Sequence, residues 1–212
     1  NLEHMNFLHR LNAFTTKHLT ALLGLFIFIA AFGSYVATLA PAQVPGDPSE
    51  YTFIPWILGI AHPPGYGFYT LLAALWQHIV LIGSVAYRSN LLAACAGASS
   101  AALVYFITQR LIFNIARRSA VGGLWSVSKL EAHLPAVFAG LSFAAAIDVW
   151  QHSLHVNAHI ITLLLATLSV FLLIEWWNTD RDRWLYLLAM IVGFSPAQHP
   201  LLIFGFPAYL IF

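Results

Sequence analysis

The chain has 212 residues, of which 60% are hydrophobic and only 8% are charged, and its mean hydropathy is +0.78. This composition indicates a polytopic membrane protein, because several apolar runs approach the ~20 residues that are needed to cross a bilayer. The net charge of +1 argues against nucleic acid as a partner, since the few basic residues form no long stripe.

The first 40 residues predict two helical elements. Residues 1–18 are predicted to form an interfacial helix, because apolar residues recur there at helical spacing beside basic ones. The basic residues favour a cytoplasmic N-terminus. Residues 19–212 are predicted to form a transmembrane module, whose clearest span is residues 19–40, with ~22 apolar or small residues and no charge. The acidic stretch that follows should emerge outside.

The stretch from residue 45 to residue 69 differs from its apolar surroundings, because it is rich in proline and glycine and carries two carboxylates. Such a backbone cannot form a plain lipid-exposed span, so it is predicted to lie at the membrane surface or to line a cavity. Asp47 and Glu50 are three residues apart, which puts both on one face of a helical turn. Carboxylates held beside a bilayer are costly, so a functional role is the default expectation.

The next two apolar runs differ in length. Residues 68–83 contain Gln77 and His78 and are too short for a clear crossing, so this segment is predicted to dip in and return, or to lie against the bundle. Residues 91–109 predict a full span, and the basic residues that follow it predict a cytoplasmic loop. Arg88 is thereby kept on the outer side, in a turn between the two runs.

Three further runs complete the predicted bundle. Residues 134–149 are expected to run outward and residues 160–177 to run back. Residues 185–194 then rise to the segment SPAQHP, whose two prolines predict a broken helix that lines a cavity. Irregular polar segments converge on one face in this arrangement: residues 46–66, the Arg88 turn, residues 150–159 and residues 195–200. The chain stops inside an apolar run, so we expect it to be the N-terminal part of a longer protein, truncated at its C-terminal end.

A family resemblance is carried by LGIAHPPGY at residues 58–66, preceded by Gly46, Asp47 and Glu50. These residues resemble the membrane protein family DUF2723, which is related to the protein O-mannosyltransferases and belongs to the GT-C class of polytopic glycosyltransferases. The family pattern reads approximately GDSGE, then LGIPHPPGYPLY. Weaker matches follow in the same order: Arg88 with Asn90, Leu91 and Leu92, then Trp150, then Gln198 with His199. The resemblance covers about residues 20–212.

The chain departs from the family pattern in two places. Pro48 and Ser49 stand where the family has Ser and Gly, which predicts a stiffer loop at Asp47. Further along, a carboxylate and a tyrosine that are common in the family fall on Asn157 and His159. The loss of that carboxylate counts against an active enzyme.

The resemblance implies an all-α, polytopic transmembrane helix bundle, a GT-C-like N-terminal module with re-entrant or interfacial segments. It also implies transfer of a sugar from a polyprenyl-phosphate donor to an acceptor on the outer face. This chemistry needs a base for the acceptor hydroxyl and groups that hold the departing phosphate. Asp47 is the candidate base, with Glu50 as an orienting or metal-binding partner. The candidate substrate-binding residues are His62, Tyr66, Arg88, Gln198 and His199.

The resemblance also bears on partners and location. A lipid-linked sugar donor and membrane lipids are the expected partners, and other membrane subunits are further candidates. The expected location is a bacterial inner (plasma) membrane, with the N-terminus in the cytoplasm. No cofactor is fixed by the sequence, although a divalent metal is one candidate.

Other interpretations of single residues stay open. Asp47 can instead cap a helix that starts near Pro48. His152, His155 and His159 are spaced three and four apart, so on one helix they would share a face and could ligate a metal. Hydrogen-bonded interfacial histidines are the simpler interpretation of these three.

Two rival assignments concern the whole chain. A non-catalytic membrane subunit of a larger respiratory or photosynthetic complex would keep the scaffold and use histidines such as His18 and His78 for a pigment. A transporter with broken helices around a central site would use the same proline breaks. The acidic residues and Arg88 on one face favour the enzyme, whereas Asn157 favours the subunit.

Overall fold

The computed structural model describes residues 2–121 and 131–211, with side chains for residues 18–116 and 131–207 and for Tyr209. Every regular element in these ranges is helical, which confirms the all-α prediction. The elements in chain order are α1 (Leu2–Ala37), α2 (Asp47–Ile57), α3 (Gly67–Ile79), α4 (Val85–Val121), α5 (His133–Ala145), α6 (Ile147–Leu154), α7 (Ala158–Thr179), α8 (Asp182–Gln198), a 3₁₀ helix (Pro200–Gly205) and α9 (Phe206–Ile211).

Three of the described helices are long and apolar enough to cross a membrane, namely α1 over His18–Ala37, α4 over Val85–Ala116, and α7. A fourth span exists if α5 and α6 count together, since they meet at an angle of 58°. The chain is therefore an integral membrane helix bundle. Residues 134–149, which are predicted to run outward, fall within this bent pair, because Ala146 has the extended backbone conformation (φ −60°, ψ 133°) and turns the chain there.

The segment between α1 and α4 does not cross. With 11 and 13 residues, α2 and α3 are about 17 and 20 Å long, short of the roughly 30 Å of hydrocarbon. The two helices pack against each other, and α3 lies against α4 and α8. Consequently α1 ends and α4 begins at the same end of the bundle.

Asn90 connects the segments that meet at this end. Its amide nitrogen donates to the carbonyl oxygens of Ala40 (2.8 Å) and Ala42 (3.2 Å), and its carbonyl oxygen accepts from the backbone N–H of Val156 (2.9 Å). The side chain is 1% exposed. It thus joins the loop after α1 and the loop before α7 to the first turns of α4. We call this end of the bundle the site end, and the opposite end, where α4 and α7 finish, the far end.

Small residues let the helices approach closely. A Cβ added at Gly97 in α4 would lie 2.0 Å from Oγ of Ser153 in α6, and one at Gly140 in α5 would lie 3.1 Å from the carbonyl oxygen of Ala101. Close backbone approach through small residues is the usual means of packing helices in a membrane. The resulting core of α1, α4, α5 and α6 holds the site end in place.

The N-terminal helix is longer than the sequence predicts. α1 runs from Leu2 to Ala37 without a break, so residues 2–18 continue into the first span. An interfacial position for residues 1–18 stays a prediction.

Candidate functional site

The site begins at the start of α2, where the sequence sets the chain direction. Gly46, the residue before the helix, has φ 87° and ψ −148°, a conformation that is essentially restricted to glycine. Pro48 then lies in the first turn, where its missing N–H costs nothing. Asp47 and Glu50 lie in the same first turn, as their spacing predicts. The capping interpretation of Asp47 is wrong, because Asp47 is the first helical residue and Gly46 occupies the capping position.

Glu50 binds one residue with both of its carboxylate oxygens. Oε1 accepts a hydrogen bond from the backbone N–H of His62 at 2.5 Å, and Oε2 lies 2.8 Å from Nδ1 of the His62 ring. These hydrogen bonds lower the pKa of Glu50, and the same carboxylate raises the pKa of His62. The two side chains are 31% and 38% exposed, so the pair is accessible from outside the bundle.

The HPPGY segment turns the chain from His62 into α3. The N–H of Gly65 donates to the carbonyl oxygen of His62 at 2.8 Å, and the peptide between Pro63 and Pro64 is cis. Gly65 (φ 96°) and Tyr66 (φ 45°) both adopt positive φ, which is uncommon for a tyrosine. This turn directs the Tyr66 side chain into the protein, where it is 4% exposed.

Tyr66 is the centre of an aromatic cluster at the site end. Its ring lies next to four other rings, one from its own HPPGY segment and three from other segments of the chain, and this contact set defines the Tyr66 cluster. The neighbours and their centroid distances are Tyr51 in α2 (5.4 Å), His62 (5.7 Å), His159 in α7 (6.1 Å) and His199 after α8 (5.6 Å). The fold therefore gathers residues from across 149 positions of sequence around one buried ring.

The histidines of the second half extend the cluster. The rings of His159 and His199 are 5.6 Å apart, and His152 is 6.1 Å from His159 and 6.5 Å from His155. The expectation that His152, His155 and His159 share one helix is wrong, because α6 ends at Leu154 and His155 is extended. Among the described residues, no three His, Cys, Asp or Glu side chains are grouped so that they could hold a metal ion.

Arg88 is not part of the Tyr66 cluster. It lies in the first turn of α4, not in a turn between helices, so that prediction is corrected. Its guanidinium donates to the carbonyl oxygen of Gly83 (3.3 and 3.1 Å) and to that of Gln77 (3.0 Å). Gln77 lies 11 residues along α3 from Tyr66, or about 16 Å of helix. Arg88 therefore fastens the end of α3 to α4.

Gln198 and His199 are neighbours in the sequence but lie in different surroundings: Gln198 is in the helix core and His199 is in the Tyr66 cluster. The predicted break at residues 195–200 is shorter than expected, because α8 continues through Pro196 and ends at Gln198. Gln198 is fully buried, and its amide nitrogen donates to the carbonyl oxygen of Ala158 (2.8 Å) and to Oγ1 of Thr162 (3.2 Å). It faces α7, and only His199 reaches the rings around Tyr66.

Comparison with known proteins assigns a family to this arrangement. Residues 47–212 match the model of the protein O-mannosyl-transferase TMEM260 N-terminal domain, a stretch that starts at Asp47 and takes in the whole Tyr66 cluster. The chain belongs to this family.

Two curated relatives in the TMEM260 family agree with this assignment. Protein O-mannosyl-transferase TMEM260 of Mus musculus is 40% identical over 106 residues, which is 48% of this chain and 15% of the relative. Protein O-mannosyl-transferase tmem260 of Dictyostelium discoideum is 28% identical over 90 residues, or 42% of this chain and 11% of the relative. This chain therefore spans only a small part of either relative. No solved structure matches it significantly.

Membership of the TMEM260 family supports a membrane glycosyltransferase-like role and does not favour the respiratory or photosynthetic subunit. The relatives come from Mus musculus and Dictyostelium discoideum, and they lend no support to a bacterial membrane. The matching family model carries the O-mannosyl-transferase description, and the name DUF2723 stays a prediction.

The departures from the expected family pattern have structural explanations here. Asn157 caps α7 by accepting from the N–H of Ile160 (3.0 Å), and its amide nitrogen donates to the carbonyl oxygens of His152 and His155. Its side chain therefore serves the loop before α7. Ser49 lies inside α2, so this position needs no positive φ in this chain.

Two tyrosines of the site are not among the residues predicted from the sequence. Tyr51 is 1% exposed and lies between the Glu50–His62 pair and Tyr66, with its hydroxyl 3.5 Å from Nε2 of His62. Burial raises its pKa, so the phenol stays protonated. Tyr69 donates a hydrogen bond to the carbonyl oxygen of Tyr51 at 2.5 Å. The spacing of tyrosines around HPPGY was the available signal.

Proposed function

We propose that this chain is the N-terminal part of a membrane O-mannosyltransferase that uses a polyprenyl-phosphate-linked sugar. The acceptor is a hydroxyl group, and transfer takes place at the site end of the bundle, beside the Tyr66 cluster. Support comes from the family and from the concentration of carboxylate, imidazole and phenol groups at this end.

The strongest support for the proposal is the state of the Asp47 carboxylate. Asp47 is exposed, and among the described residues its carboxylate has no hydrogen bond or ion pair, whereas Glu50, one helical turn away, is fully engaged by His62. A carboxylate that the fold leaves available beside a fixed carboxylate–imidazole pair suits a general base. Asp47 is therefore assigned as the residue that accepts the proton of the acceptor hydroxyl.

The reaction assigns a role to each side of the cluster. The acceptor oxygen forms a bond to the anomeric carbon of the sugar while its proton passes to Asp47. The bond from that carbon to the phosphate oxygen breaks, and the electron pair leaves with the phosphate. His62, His199 and the Tyr66 hydroxyl are the groups proposed to bind the phosphate oxygens. Arg88 is left out, because its guanidinium is bound to backbone carbonyl oxygens.

The distribution of basic residues supports an orientation. Lys17 precedes the first span at the far end, and Arg110, Arg181 and Arg183 also lie at that end of the described chain. By the positive-inside rule we expect the far end to lie in the cytoplasm and the site end on the opposite side of the membrane.

The test is transfer of mannose from polyprenyl-phosphate mannose to a peptide acceptor by the full-length protein that contains this chain. Asp47→Asn keeps the shape of the side chain, and we expect it to lower the rate by about 10²- to 10⁴-fold, the usual contribution of a general base. Asp180→Asn is the matched control, because it removes one carboxylate at the end of α7, where Asn also tolerates positive φ. Equal rates for both variants, or no transfer by the wild type, would contradict the proposal.

A further inference from the structure

Both carboxylate oxygens of Glu50 bind His62, whereas the neighbouring carboxylate of Asp47 is exposed. The two Glu50 oxygens bind the backbone N–H (2.5 Å) and the ring Nδ1 (2.8 Å) of His62. A carboxylate that holds both the main chain and the ring restricts the position and the rotation of the imidazole together. The same contact fixes a proton on Nδ1, because a carboxylate can only accept.

The opposite nitrogen of His62 is left facing the cluster. Nε2 lies 3.5 Å from the Tyr51 hydroxyl, and the ring is 5.7 Å from that of Tyr66. The His62 side chain is 38% exposed, so a ligand can reach it. One nitrogen is therefore bound inside the protein and the other is presented to the site, which is the arrangement by which a carboxylate orients a functional imidazole.

We propose that Glu50 is a positioning residue that keeps the His62 ring doubly protonated and turned so that Nε2–H meets an anionic oxygen of the departing phosphate. This inference rests on the proposed function. It assigns the two carboxylates of α2 different tasks: Asp47 accepts the acceptor's proton, and Glu50 acts only through His62.

The electrostatic surroundings agree with this assignment. The hydrogen bond that the His62 ring donates to Glu50 raises the pKa of His62 most strongly. Burial lowers this pKa by less, and the negative charges of Glu50 and Asp47 add smaller upward effects. The titratable groups that face His62 come from three segments, namely Asp47, Glu50 and Tyr51 of α2, Tyr66 of the HPPGY turn, and His159 of α7. His199 lies on the Tyr66 ring. Asp47 and Glu50 are the anionic members of this set, so a charge on His62 is favoured.

The experiment measures the protonation of His62 directly and separately from transfer. Diethyl pyrocarbonate modifies neutral imidazole, so the rate at which the His62 peptide is modified, followed by mass spectrometry against pH, reports where the ring loses its proton. The full-length protein in nanodiscs is labelled as wild type, as Glu50→Gln and as the control Asp180→Asn. Glutamine keeps an acceptor for the His62 N–H but removes the charge.

We expect the labelling midpoint of His62 to lie above the ordinary histidine value of about 6.5 in the wild type and to move to lower pH in Glu50→Gln, with no movement in Asp180→Asn. The alkaline limb of the pH profile of kcat/KM should move the same way, and kcat should fall about 10- to 100-fold, as is typical for loss of an orienting partner. If Glu50→Gln does not fold, the labelling midpoint of His62 in the wild type is the test. A midpoint at or below the ordinary histidine pKa overturns the inference.

The outcomes also separate this inference from the proposed function. If the labelling midpoint moves in Glu50→Gln but the wild type transfers no sugar from any donor, the role of Glu50 toward His62 is supported and the transferase proposal is contradicted. Transfer by the wild type together with an unmoved midpoint would keep the transferase and overturn the role of Glu50.

Discussion

The ring of Tyr66 lies edge-on to that of Tyr51, with the centroids 5.4 Å apart and an interplanar angle of 89°. Edge-to-face contact between buried aromatic rings is favourable beyond the burial itself. It connects the helix that carries both candidate carboxylates to the turn that carries HPPGY. The position of the carboxylates relative to His159 and His199 therefore depends on this contact.

Replacing Tyr66 should show how much the cluster contributes to stability. We expect Tyr66→Ala to destabilise the protein by about 3–5 kcal/mol, as truncation of large buried aromatic residues does. Tyr66→Phe keeps the ring and its four neighbours and should unfold close to the wild type. Thermal unfolding in detergent measures both. Equal losses for the two variants would mean that the hydroxyl, and not the ring, holds the segments together.

Asn90 is expected to be the most sensitive polar residue at the site end. Asn90→Ala removes the partners of two carbonyl oxygens and of the buried N–H of Val156, each worth about 1–3 kcal/mol when left unpaired. Asn114→Ala is the control, since Asn114 binds the exposed Asn178 at the far end and should cost less than about 0.5 kcal/mol. Chemical denaturation compares the two variants, and similar losses would contradict the role of Asn90.

The Glu50–His62 pair predicts a pH dependence of stability. The folded-state pKa of Glu50 is lowered, so its contribution is present above the ordinary glutamate pKa and is lost as pH falls through the folded value. The pKa of His62 is raised, so its contribution is present below the ordinary histidine pKa and is lost as pH rises through the folded value. The pair should therefore stabilise the fold most at pH values between the folded-state pKa of Glu50 and that of His62.

The measurement is the difference in unfolding temperature between wild type and Glu50→Gln across pH. We expect a maximum of this difference between the two folded-state pKa values, reduced by salt because both side chains are partly exposed. A difference that is constant with pH would show that the pair is not ionised in the folded protein.

Arg88 provides a test that separates a structural from a binding role. Because its guanidinium is bound to the carbonyl oxygens of Gln77 and Gly83, Arg88→Lys should lower stability by about 1–3 kcal/mol without changing the KM for the lipid donor. His62→Gln, in contrast, should raise that KM or lower kcat. Donor titrations of the two variants make the comparison. A large rise in KM for Arg88→Lys alone would restore Arg88 as the phosphate ligand.

Parts of this arrangement are predictable from local sequence rules. The three-residue spacing of Asp47 and Glu50 determines their common helical face, and long apolar runs predict α1, α4 and α7. The two prolines of SPAQHP predict the end of α8 only to within a few residues. The residue before Pro200, His199, is extended (φ −163°, ψ 134°), as the residue before a proline often is, whereas Pro196 is accommodated inside the helix.

Other features of the site depend on contacts between residues far apart in the sequence, so they could not be predicted from local sequence patterns. Arg88 has suitable chemistry for a phosphate, but the turn at Gly83 puts two backbone carbonyl oxygens within reach of its guanidinium. The spacing of His152 and His159 suggests one helix, yet the chain leaves the helix at the extended His155 and a new helix begins after the extended Asn157. Tyr66 becomes the centre of the cluster only because α7 and α8 deliver His159 and His199 to it. Such convergence depends on tertiary packing and leaves no local pattern.

We expect the phosphate of a lipid-linked sugar to bind at the site end. A competing place exists at the far end, an apolar groove of about 330 Å³ between α4 and α7. It is lined by Leu111, Asn114, Ile115, Val170, Leu173, Ile174, Trp177 and Asn178.

The most direct measurement is photo-crosslinking of the full-length protein with a polyprenyl-phosphate mannose analogue that carries a diazirine on the isoprene unit next to the phosphate, followed by peptide mapping. We predict crosslinks to residues 62–69, 155–160 and 199, and their loss in competition with unlabelled donor. Competed crosslinks confined to residues 111–115 and 170–178 would show that the donor binds at the far end and would contradict binding at the site end.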